Sequence, residues 1–209
     1  MPSDELDLDH ITNQTIGHYG RSADSFRQGT WDHDVTQNYH ALLDSLEGEG
    51  PHSVLDLGCG PGRDLLYFKS KGIEAIGLDG TAEFVEMAHR ITGCAVWHQN
   101  FLKLDLPDAR FDGIFANASL FHVPKSELPR VLKELYATLK PGGVLFSSNP
   151  RGDNREGFNG ERYGCHHDLK CWRGYCTDAG FTEVHHYYRP QGLPRDQQGW
   201  LASVWRKSA

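Results

Sequence analysis

The sequence predicts an α/β fold, in which a seven-stranded, mostly parallel β-sheet carries helices on both faces and ends in a C-terminal antiparallel hairpin. Three observations favour this class. Short apolar runs alternate with amphipathic helical segments after residue 50, which is the pattern of repeated βαβ units. A glycine-rich turn at 58–62 follows the first apolar run. A polar stretch rich in Pro and Gly, at 190–199, joins the last two runs and indicates the hairpin.

The elements after residue 50 follow in order from this alternation. The helix at 126–140 is the clearest, because Ser126 can cap it, its leucines share one face, and Pro141-Gly142-Gly143 stops it. Strands that alternate with helices imply right-handed crossovers and hence parallel pairing. The predicted strands are 53–57, 74–79, 94–98, 111–116, 143–148, 182–189 and 200–206, and the predicted helices lie near 61–71, 82–91, 126–140 and 168–179.

The first fifty residues differ in character from the rest. Residues 1–30 are polar and weakly periodic, which predicts a flexible start and a short helix. Asp34-Val-Thr-Gln37 has the form of a capping box and precedes apolar residues at helical spacing, and Gly48-Glu-Gly50-Pro51 ends that helix. We therefore expect 1–50 to be a helical lid segment on a domain formed by 51–209, the two making one structural unit.

Composition limits the classes of function. The chain has 209 residues, 38% of them hydrophobic, with a mean hydropathy of −0.55, which fits one globular domain. The acidic N-terminus lacks the apolar stretch of a signal peptide, and no segment approaches a membrane span. Five cysteines, an odd number, predict reduced thiols and a cytoplasmic location. A net charge of −7 without a basic run disfavours a nucleic-acid partner.

One motif carries most of the functional information. The run Val-Leu-Asp-Leu-Gly-Cys-Gly-Pro-Gly at 54–62 is a buried strand followed by a glycine turn, and Asp79 ends the next apolar run seventeen residues beyond Gly62. Glycine lets a ligand approach the backbone closely, and the acid can hold both ribose hydroxyls. A dinucleotide fingerprint would need a third glycine where Arg63 stands, and a phosphate loop would need Gly-Lys-Ser/Thr. The pattern predicts a different adenosine-bearing cofactor.

The run from Leu55 to Gly62 resembles motif I of the class I S-adenosylmethionine-dependent methyltransferases, in its D-x-G-x-G-x-G form. The resemblance covers roughly residues 50–148 and implies a Rossmann-like fold, S-adenosyl-L-methionine as cofactor and S-adenosyl-L-homocysteine as product. It also implies a set of cofactor-binding positions, which are Asp56, Gly58, Cys59, Gly60, Gly62, Asp79, Gly80, Asn100, Phe101 and Asn117.

The resemblance gives several of these positions a role. Asp56 would orient the glycine loop and the methionine amino group, and Asp79 would anchor the ribose. Asn100, where the family more often has Asp, would contact the adenine amino group, with Phe101 beside the ring. Asn117 would lie near the methionine portion and the sulfonium. Cys59 would fill space within the loop without acting as a nucleophile.

Absent motifs narrow the substrate class. The tetrad Asn117-Ala118-Ser119-Leu120 is not the D/N-P-P-Y/F of amino methyltransferases acting on bases, no Pro-Cys nucleophile occurs, and no carboxylate cluster suggests a magnesium site. We expect an N- or O-methyltransferase that acts on a small polar metabolite by in-line transfer, as a monomer or homodimer. A protein or nucleic-acid methyltransferase and a non-catalytic S-adenosylmethionine-binding module remain as alternatives.

His122 is the candidate general base or substrate contact, since it follows the fourth strand on the ligand side; the alternative is a histidine packed beneath the cofactor. The long polar connection 149–167 would either close over the substrate or be a solvated loop. Asn149 and Arg151 at its start can point into the pocket, and Arg151 or Arg155 can pair with a substrate carboxylate. The substrate candidates are Tyr19, Trp31, His33, Asn149, Arg151, Arg155 and Tyr163.

Aromatic and histidine side chains before the first strand are lid candidates: Tyr19, Trp31 and His33 would shield the methyl group from water, or else pack the N-terminal helices on the sheet.

Two groups of residues have the composition of a metal site but not its usual spacing. Asp32-His33-Asp34 are consecutive and rarely converge on one ion. The cysteines and histidines at 165–167, 171 and 176 match no familiar zinc spacing. We predict no metal site.

Overall fold

A computed structural model describes residues 7–209. The predicted flexible start lies partly outside this range, at residues 1–6. The helices are α1 (Leu8–Arg21), α2 (Ala23–Thr30), α3 (Thr36–Leu43), α4 (Arg63–Ser70), α5 (Ala82–Thr92), α6 (Leu128–Thr138) and α7 (Leu169–Asp178). The strands are β1 (Ser53–Leu57), β2 (Glu74–Asp79), β3 (Val96–His98), β4 (Phe111–Asn117), β5 (Leu139–Pro150), β6 (Arg155–Asn159), β7 (Arg162–His166), β8 (Thr182–Arg189) and β9 (Trp200–Arg206).

Seven strands form one sheet in the order β3-β2-β1-β4-β5-β9-β8. The first five are parallel, whereas β9 runs antiparallel to both β5 and β8. The direction of winding reverses between β1 and β4, and ligands of open α/β sheets bind in the crevice at such a point. The predicted fold class, with its terminal antiparallel pair, is confirmed.

The sheet has a buried core on each face, because side chains along a strand alternate between its two sides. Leu55 and Leu57 of β1 pack with α6 and α7 on one face, and Val54 packs with Leu42 of α3 and Phe68 of α4 on the other. Each of these side chains is fully buried, which contributes about 1.5–3 kcal/mol apiece. Both helical layers are therefore fixed to the sheet, and so are the strand ends that bear the site. Of the helices within residues 7–209, none combines the length and apolar character that crossing a bilayer requires.

The N-terminal region contains two helices, α1 and α2, where the sequence predicted one short helix. The α1 helix begins at a cap in which Asp7 Oδ1 accepts from the His10 amide at 2.9 Å. Its buried residues are only Ile11 and Thr15, which explains why its apolar period is weak in the sequence. The capping-box prediction is partly wrong: Asp34 Oδ1 accepts from the Thr36 amide, but the residue that precedes α3 is Val35, which makes no side-chain cap.

The connection at 149–167 is not an open loop. Its first two residues extend β5, and β6 and β7 then pair antiparallel as a hairpin whose ends at the turn are Asn159 and Arg162. Gly160 in that turn has φ of +63°, which glycine adopts without strain. The two-residue loop is Gly160-Glu161, and the glycine of Asn159-Gly160, which opens this loop, is the hairpin signal that the sequence contains. The residues Pro141-Gly142-Gly143, predicted to end the helix before the fifth strand, lie inside β5. They coincide with an irregularity in the pairing of β4 with β5, between the pairs Phe111–Leu139 and Gly113–Val144.

Candidate active site

A cavity of about 630 Å³ opens beyond the carboxyl ends of β1, β2 and β4 and is walled by α1, α2 and β7. The sequence-predicted residues that line it are Gly58, Cys59, Gly60, Asp79, Gly80, Asn100, Phe101, Asn117, His122, Tyr19 and His33. They come from segments up to about a hundred residues apart, which the parallel sheet brings to one edge. Further lining residues that the sequence reasoning did not single out include Thr15, Phe26, Arg63, Asp64, Arg162 and Arg189.

The glycine loop has the backbone that the motif predicted. Gly58, Gly60 and Gly62 all have positive φ, and a Cβ at Gly58 would lie 2.5 Å from Ser119 Cβ. At Gly62 a Cβ would lie 2.9 Å from Thr92 Cγ2 and 3.0 Å from Ala88 Cα. Glycine is therefore required at both positions by conformation and by space. Gly62 itself does not line the cavity; it is buried between α4 and α5 and supports the turn.

Asp79 connects the two strand ends. Its Oδ2 accepts from the Gly60 amide at 2.9 Å and its Oδ1 accepts from the Thr81 amide at 2.8 Å. Burial raises the pKa of Asp79, and these two backbone bonds counteract part of the rise. Each carboxylate oxygen has a further lone pair, so both can accept from a ligand while they hold the loop.

Asp56 stands behind the loop and not on the cavity wall. Its side chain is almost fully buried, and Oδ2 has no hydrogen-bond partner within residues 7–209. Burial, and next the neighbouring Asp64 charge, raise the pKa of Asp56 well above its usual range. The prediction that Asp56 orients the methionine amino group stays a prediction, and an amino group would supply the donor that Oδ2 lacks.

On the other side of the loop, Asn100 begins a 3₁₀ turn at Phe101–Lys103 and accepts from the Leu102 amide at 2.9 Å through Oδ1. Its amide nitrogen makes no bond to any residue of the described chain, and Phe101 lies against the glycine loop, with Cζ 3.2 Å from the position of a Gly58 Cβ. An amide donor beside an aromatic ring can receive an adenine base.

A buried polar network forms the opposite end of the cavity. Asp64 Oδ1 accepts from the Tyr39 hydroxyl at 2.6 Å and from Arg63 Nε at 2.7 Å, and Oδ2 accepts from Asn117 Nδ2 at 3.4 Å. Asn38 Nδ2 donates to Asn117 Oδ1 at 3.0 Å. This network ties α3 to α4 and β4. The sequence offered one signal for it, the charged pair Arg63-Asp64 directly after the glycine loop.

His122 and Tyr19 face the same cavity and are hydrogen-bonded. His122 Nδ1 lies 2.5 Å from the Tyr163 carbonyl oxygen, which can only accept, so Nδ1 carries the proton. The neutral Nε2 then accepts from the Tyr19 hydroxyl at 2.9 Å. Burial, helped by the nearby Arg162 and His166 and opposed by the Tyr163 bond, lowers the pKa of His122 to about 4. The ring is neutral at physiological pH, and its acceptor nitrogen is occupied by Tyr19.

Comparison with known proteins gives this geometry a family. The sequence model described as "Methyltransferase domain" matches residues 54–143, which contain the glycine loop, Asp79 and β4. The chain thus contains a segment that matches the methyltransferase-domain family, as the resemblance of motif I predicted. The Rossmann-like fold is confirmed.

Individual relatives of the chain are named for different substrates. It is 38% identical over 112 residues to a trans-aconitate 2-methyltransferase of Azoarcus sp. (strain BH72), covering 53% of this chain and 44% of that protein. It is 32% identical over 130 residues to a malonyl-[acyl-carrier protein] O-methyltransferase of Enterobacter lignolyticus, covering 61% and 49%. The chain thus spans about half the length of these relatives.

Among solved structures, the chain is similar to the 1,6-didemethyltoxoflavin-N1-methyltransferase of Burkholderia thailandensis, determined with 1,6-didemethyltoxoflavin and S-adenosylhomocysteine bound. The TM-score is 0.73 at 24% identity, over 93% of this chain and 87% of the other. At that identity the likeness establishes the fold.

Several of the predicted substrate-contacting residues lie away from the cavity. Arg151, expected to point inward, donates from Nη2 to the Arg195 carbonyl at 2.7 Å and lies over the Tyr188 ring. Arg155 is exposed and pairs with Asp153. Asn149 is buried in β5, opposite Leu201 of β9. The reason is that β5 continues to Pro150 and pairs with β9, so strand alternation, and not the start of a loop, sets these side chains.

Two aromatic candidates have side chains that do not line the cavity. The Tyr163 side chain is buried beside Phe158, and only its backbone carbonyl reaches His122. Trp31 follows α2 and stacks with the guanidinium of Arg27, without lining the cavity. His33 does line it, and so does Tyr19. The lid role of residues 1–50 stays a prediction.

The two groups with metal-like composition do not assemble a site in the described chain. Within residues 7–209, no group of three or more His, Cys, Asp and Glu side chains is placed to hold a metal ion. Cys165 Sγ lies 3.8 Å from His167 Nδ1, and Cys176 is fully buried in the core. Burial lowers the pKa of His167 to about 4, so this histidine is a neutral core residue at physiological pH.

Proposed function

We propose that the protein binds S-adenosyl-L-methionine in the cavity and transfers its methyl group to nitrogen or oxygen of a small polar metabolite. The observation that carries the proposal is the bond from the Gly60 amide to Asp79 Oδ2, at 2.9 Å. It holds the glycine loop and the acid at the end of β2 in the mutual position that an adenosine ribose needs. The rest of the cavity supplies groups for the other parts of the cofactor.

Each part of the cofactor has a partner in this assignment. The ribose hydroxyls donate to Asp79, and the adenine lies by Phe101 with Asn100 at its polar edge. The methionine portion extends along Gly58–Gly60 towards Asn117. Arg63, which already donates to Asp64 and to the Thr30 carbonyl at 2.9 Å, is the nearest cation of the network for the methionine carboxylate.

The chemistry is displacement at the sulfonium methyl. The acceptor atom forms a bond to the methyl carbon as the carbon–sulfur bond breaks, and the electron pair of that bond stays on the sulfur of S-adenosylhomocysteine. The leaving group needs no activation, so the protein acts mainly by alignment, which can supply on the order of 7–11 kcal/mol. His122, being neutral and bonded to Tyr19, fits a positioning role better than that of a base.

A small substrate is favoured over a polymer for two reasons. The cavity is a pocket of about 630 Å³ walled by α1, α2 and β7, and the net charge of −7 is unfavourable for nucleic acid. One relative is named for trans-aconitate, a small acid, and another for malonyl-[acyl-carrier protein]. The five cysteines, all free, support a reducing, cytoplasmic compartment.

Calorimetry with S-adenosylhomocysteine, with NAD as comparator, tests cofactor binding, and transfer of labelled methyl from S-adenosylmethionine to a panel of small amines, phenols and carboxylates tests the reaction. We expect binding of S-adenosylhomocysteine alone and turnover of at least one class of acceptor. Binding of NAD instead would refute the cofactor assignment. If S-adenosylhomocysteine binds and a protein or nucleic acid is methylated but no small acceptor is, the protein is a methyltransferase of macromolecules. If S-adenosylhomocysteine binds and no acceptor is methylated, a non-catalytic binding module is favoured.

A further inference from the structure

The cavity contains a cation that the cofactor assignment does not use. Arg162, the first residue of β7, lines the cavity. We propose that Arg162 binds a carboxylate of the acceptor substrate, that Tyr19 and His122 position its guanidinium, and that the substrate is therefore a small carboxylic acid. This inference rests on the proposed function and adds the chemical class of its substrate.

The backbone of Arg162 is fixed on both sides. The next amide, of Tyr163, donates to Thr15 Oγ1 at 3.0 Å, and the carbonyl of the same residue accepts from His122. The preceding residue, Glu161, pairs with His18 at 3.0 Å and with Arg21 at 2.8 Å. The hairpin is thus bound to α1 at three points around Arg162, which places this side chain over the cavity without using it for any of the contacts.

The charge of Arg162 is available to a ligand. Among residues 7–209 it forms no ion pair, and the neighbouring acid, Glu161, is bonded to His18 and Arg21. Of the other cavity arginines, Arg63 pairs with Asp64, and the Arg189 guanidinium donates to the Asp34 carbonyl at 2.9 Å. The carboxylate of Asp79 holds two backbone amides. An anionic group entering the cavity therefore meets two cations that form no ion pair within residues 7–209, Arg162 and Arg189, and of these Arg189 is held by the Asp34 carbonyl.

A directed chain of hydrogen bonds ends at Tyr19, near this guanidinium. The Tyr163 carbonyl accepts from His122 Nδ1, and His122 Nε2 accepts from the Tyr19 hydroxyl. The Tyr19 oxygen is left with its lone pairs, and Arg162, which can only donate, is near enough to counteract part of the rise that burial causes in the pKa of Tyr19. Because neutral His122 orients the hydroxyl, the Tyr19 oxygen can accept from Arg162 and does not compete with it for a carboxylate.

A guanidinium presents parallel N–H donors that match a carboxylate, and a pair of such bonds has both strength and a fixed orientation. Arg162 is exposed to solvent, so water hydrates its charge until a carboxylate replaces that water, whereas an uncharged metabolite would not pair with this charge. A carboxylic acid satisfies this charge and still offers a second oxygen or a nitrogen to the sulfonium. These conditions select a small organic acid over a neutral amine or phenol.

The test uses the full chain saturated with S-adenosylhomocysteine and titrates malonate, trans-aconitate and benzoate by calorimetry. Malonamide and benzamide are the neutral comparators. We expect at least one acid to bind and neither amide to do so. The R162M variant should weaken that acid about 10- to 150-fold, the range of one charged hydrogen-bonded contact, and R162K should recover part of the loss. R173M is the matched control: this exposed arginine of α7 pairs with Glu183, away from the cavity, and should change nothing.

The positioning role is tested by non-additivity. Y19F should weaken the acid several-fold, and Y19F combined with R162M should be no weaker than R162M alone, because Tyr19 acts through Arg162. Additive losses would refute that role.

Binding of S-adenosylhomocysteine by every variant separates this inference from the proposed function. If it binds but no acid does, or if R162M and R173M bind the acid equally, the Arg162 assignment is wrong and the proposed function stands. If it does not bind the wild-type chain, both are wrong.

Discussion

Replacement of Asp79 by Asn separates the two tasks that this carboxylate performs. Its oxygens accept from the Gly60 and Thr81 amides at 2.9 and 2.8 Å. Asn has one oxygen, so one amide would face an NH₂ group and lose its acceptor, which costs about 1–3 kcal/mol. At roughly 2–4 °C per kcal/mol for a chain of this size, we expect the melting temperature to fall by about 2–12 °C. Loss of a charged acceptor for the ribose, worth about 1.5–3 kcal/mol, should raise the Kd for S-adenosylhomocysteine about 10- to 150-fold.

Thermal unfolding with and without S-adenosylhomocysteine, together with calorimetry, measures both effects. The matched control is Asp112→Asn, since Asp112 Oδ2 accepts from the Ser53 amide at 2.7 Å and from Lys140, near the amino end of β4. The control should lower the melting temperature and leave ligand affinity unchanged. Wild-type affinity in Asp79→Asn would refute the ribose assignment, and an unchanged melting temperature would refute the claim that Asp79 holds the loop.

Three further changes have defined outcomes. Gly62→Ala, where φ is +93° and a Cβ would meet a side chain at 2.9 Å, should cost about 1–3 kcal/mol in chemical denaturation, and a wild-type midpoint would contradict the strain argument. Tyr39→Phe removes the hydroxyl that donates to Asp64 at 2.6 Å and should lower the free energy of unfolding by about 1–3 kcal/mol in the same measurement. Stability should be restored only if Asp64 is also replaced by a neutral residue. His122 and His167 have pKa values lowered from 6.5 to about 4, so the unfolded chain binds protons between these values that the folded chain does not. The free energy of unfolding should therefore fall as the pH drops from 6.5 towards 4, by on the order of 3 kcal/mol per histidine. A variant with both His122→Gln and His167→Gln should lack this fall, so the difference between its stability and that of the wild type across the range isolates the effect. Stability curves of the two proteins that run parallel with pH would contradict it.

The sequence was sufficient for the parts of the site that depend on local structure. Positive φ at Gly58 and Gly60 is required by the turn itself, and Asp79 is placed by the end of a strand that its own apolar residues predict. These features lie within about thirty residues of one another. Their mutual position follows from a single βαβ unit, so no distant pairing had to be known.

The substrate side could not be predicted in the same way. Arg151 was expected in the cavity because it follows a strand end, yet pairing between β5 and β9 extends that strand and turns the side chain towards Tyr188. Arg162 was not singled out, since its place depends on a hairpin whose partner is α1, more than a hundred residues earlier. Patterns within a segment do not contain such long-range contacts. The turn signal Asn159-Gly160 could have predicted the hairpin, but not the helix against which it packs.

The contacts between α1 and the hairpin also bear on how ligands are exchanged. Thr15, His18 and Arg21 of α1 make polar bonds to residues 161–163. The bonds of His18 and Arg21 to Glu161 are exposed to solvent. Water can replace them when they break, at a small net cost for each. We therefore expect the two elements to part without exposing either core layer of the sheet. A change in salt concentration, or a substitution that removes the charge of Glu161, would then alter the rate at which product leaves, while the free energy of unfolding stays the same.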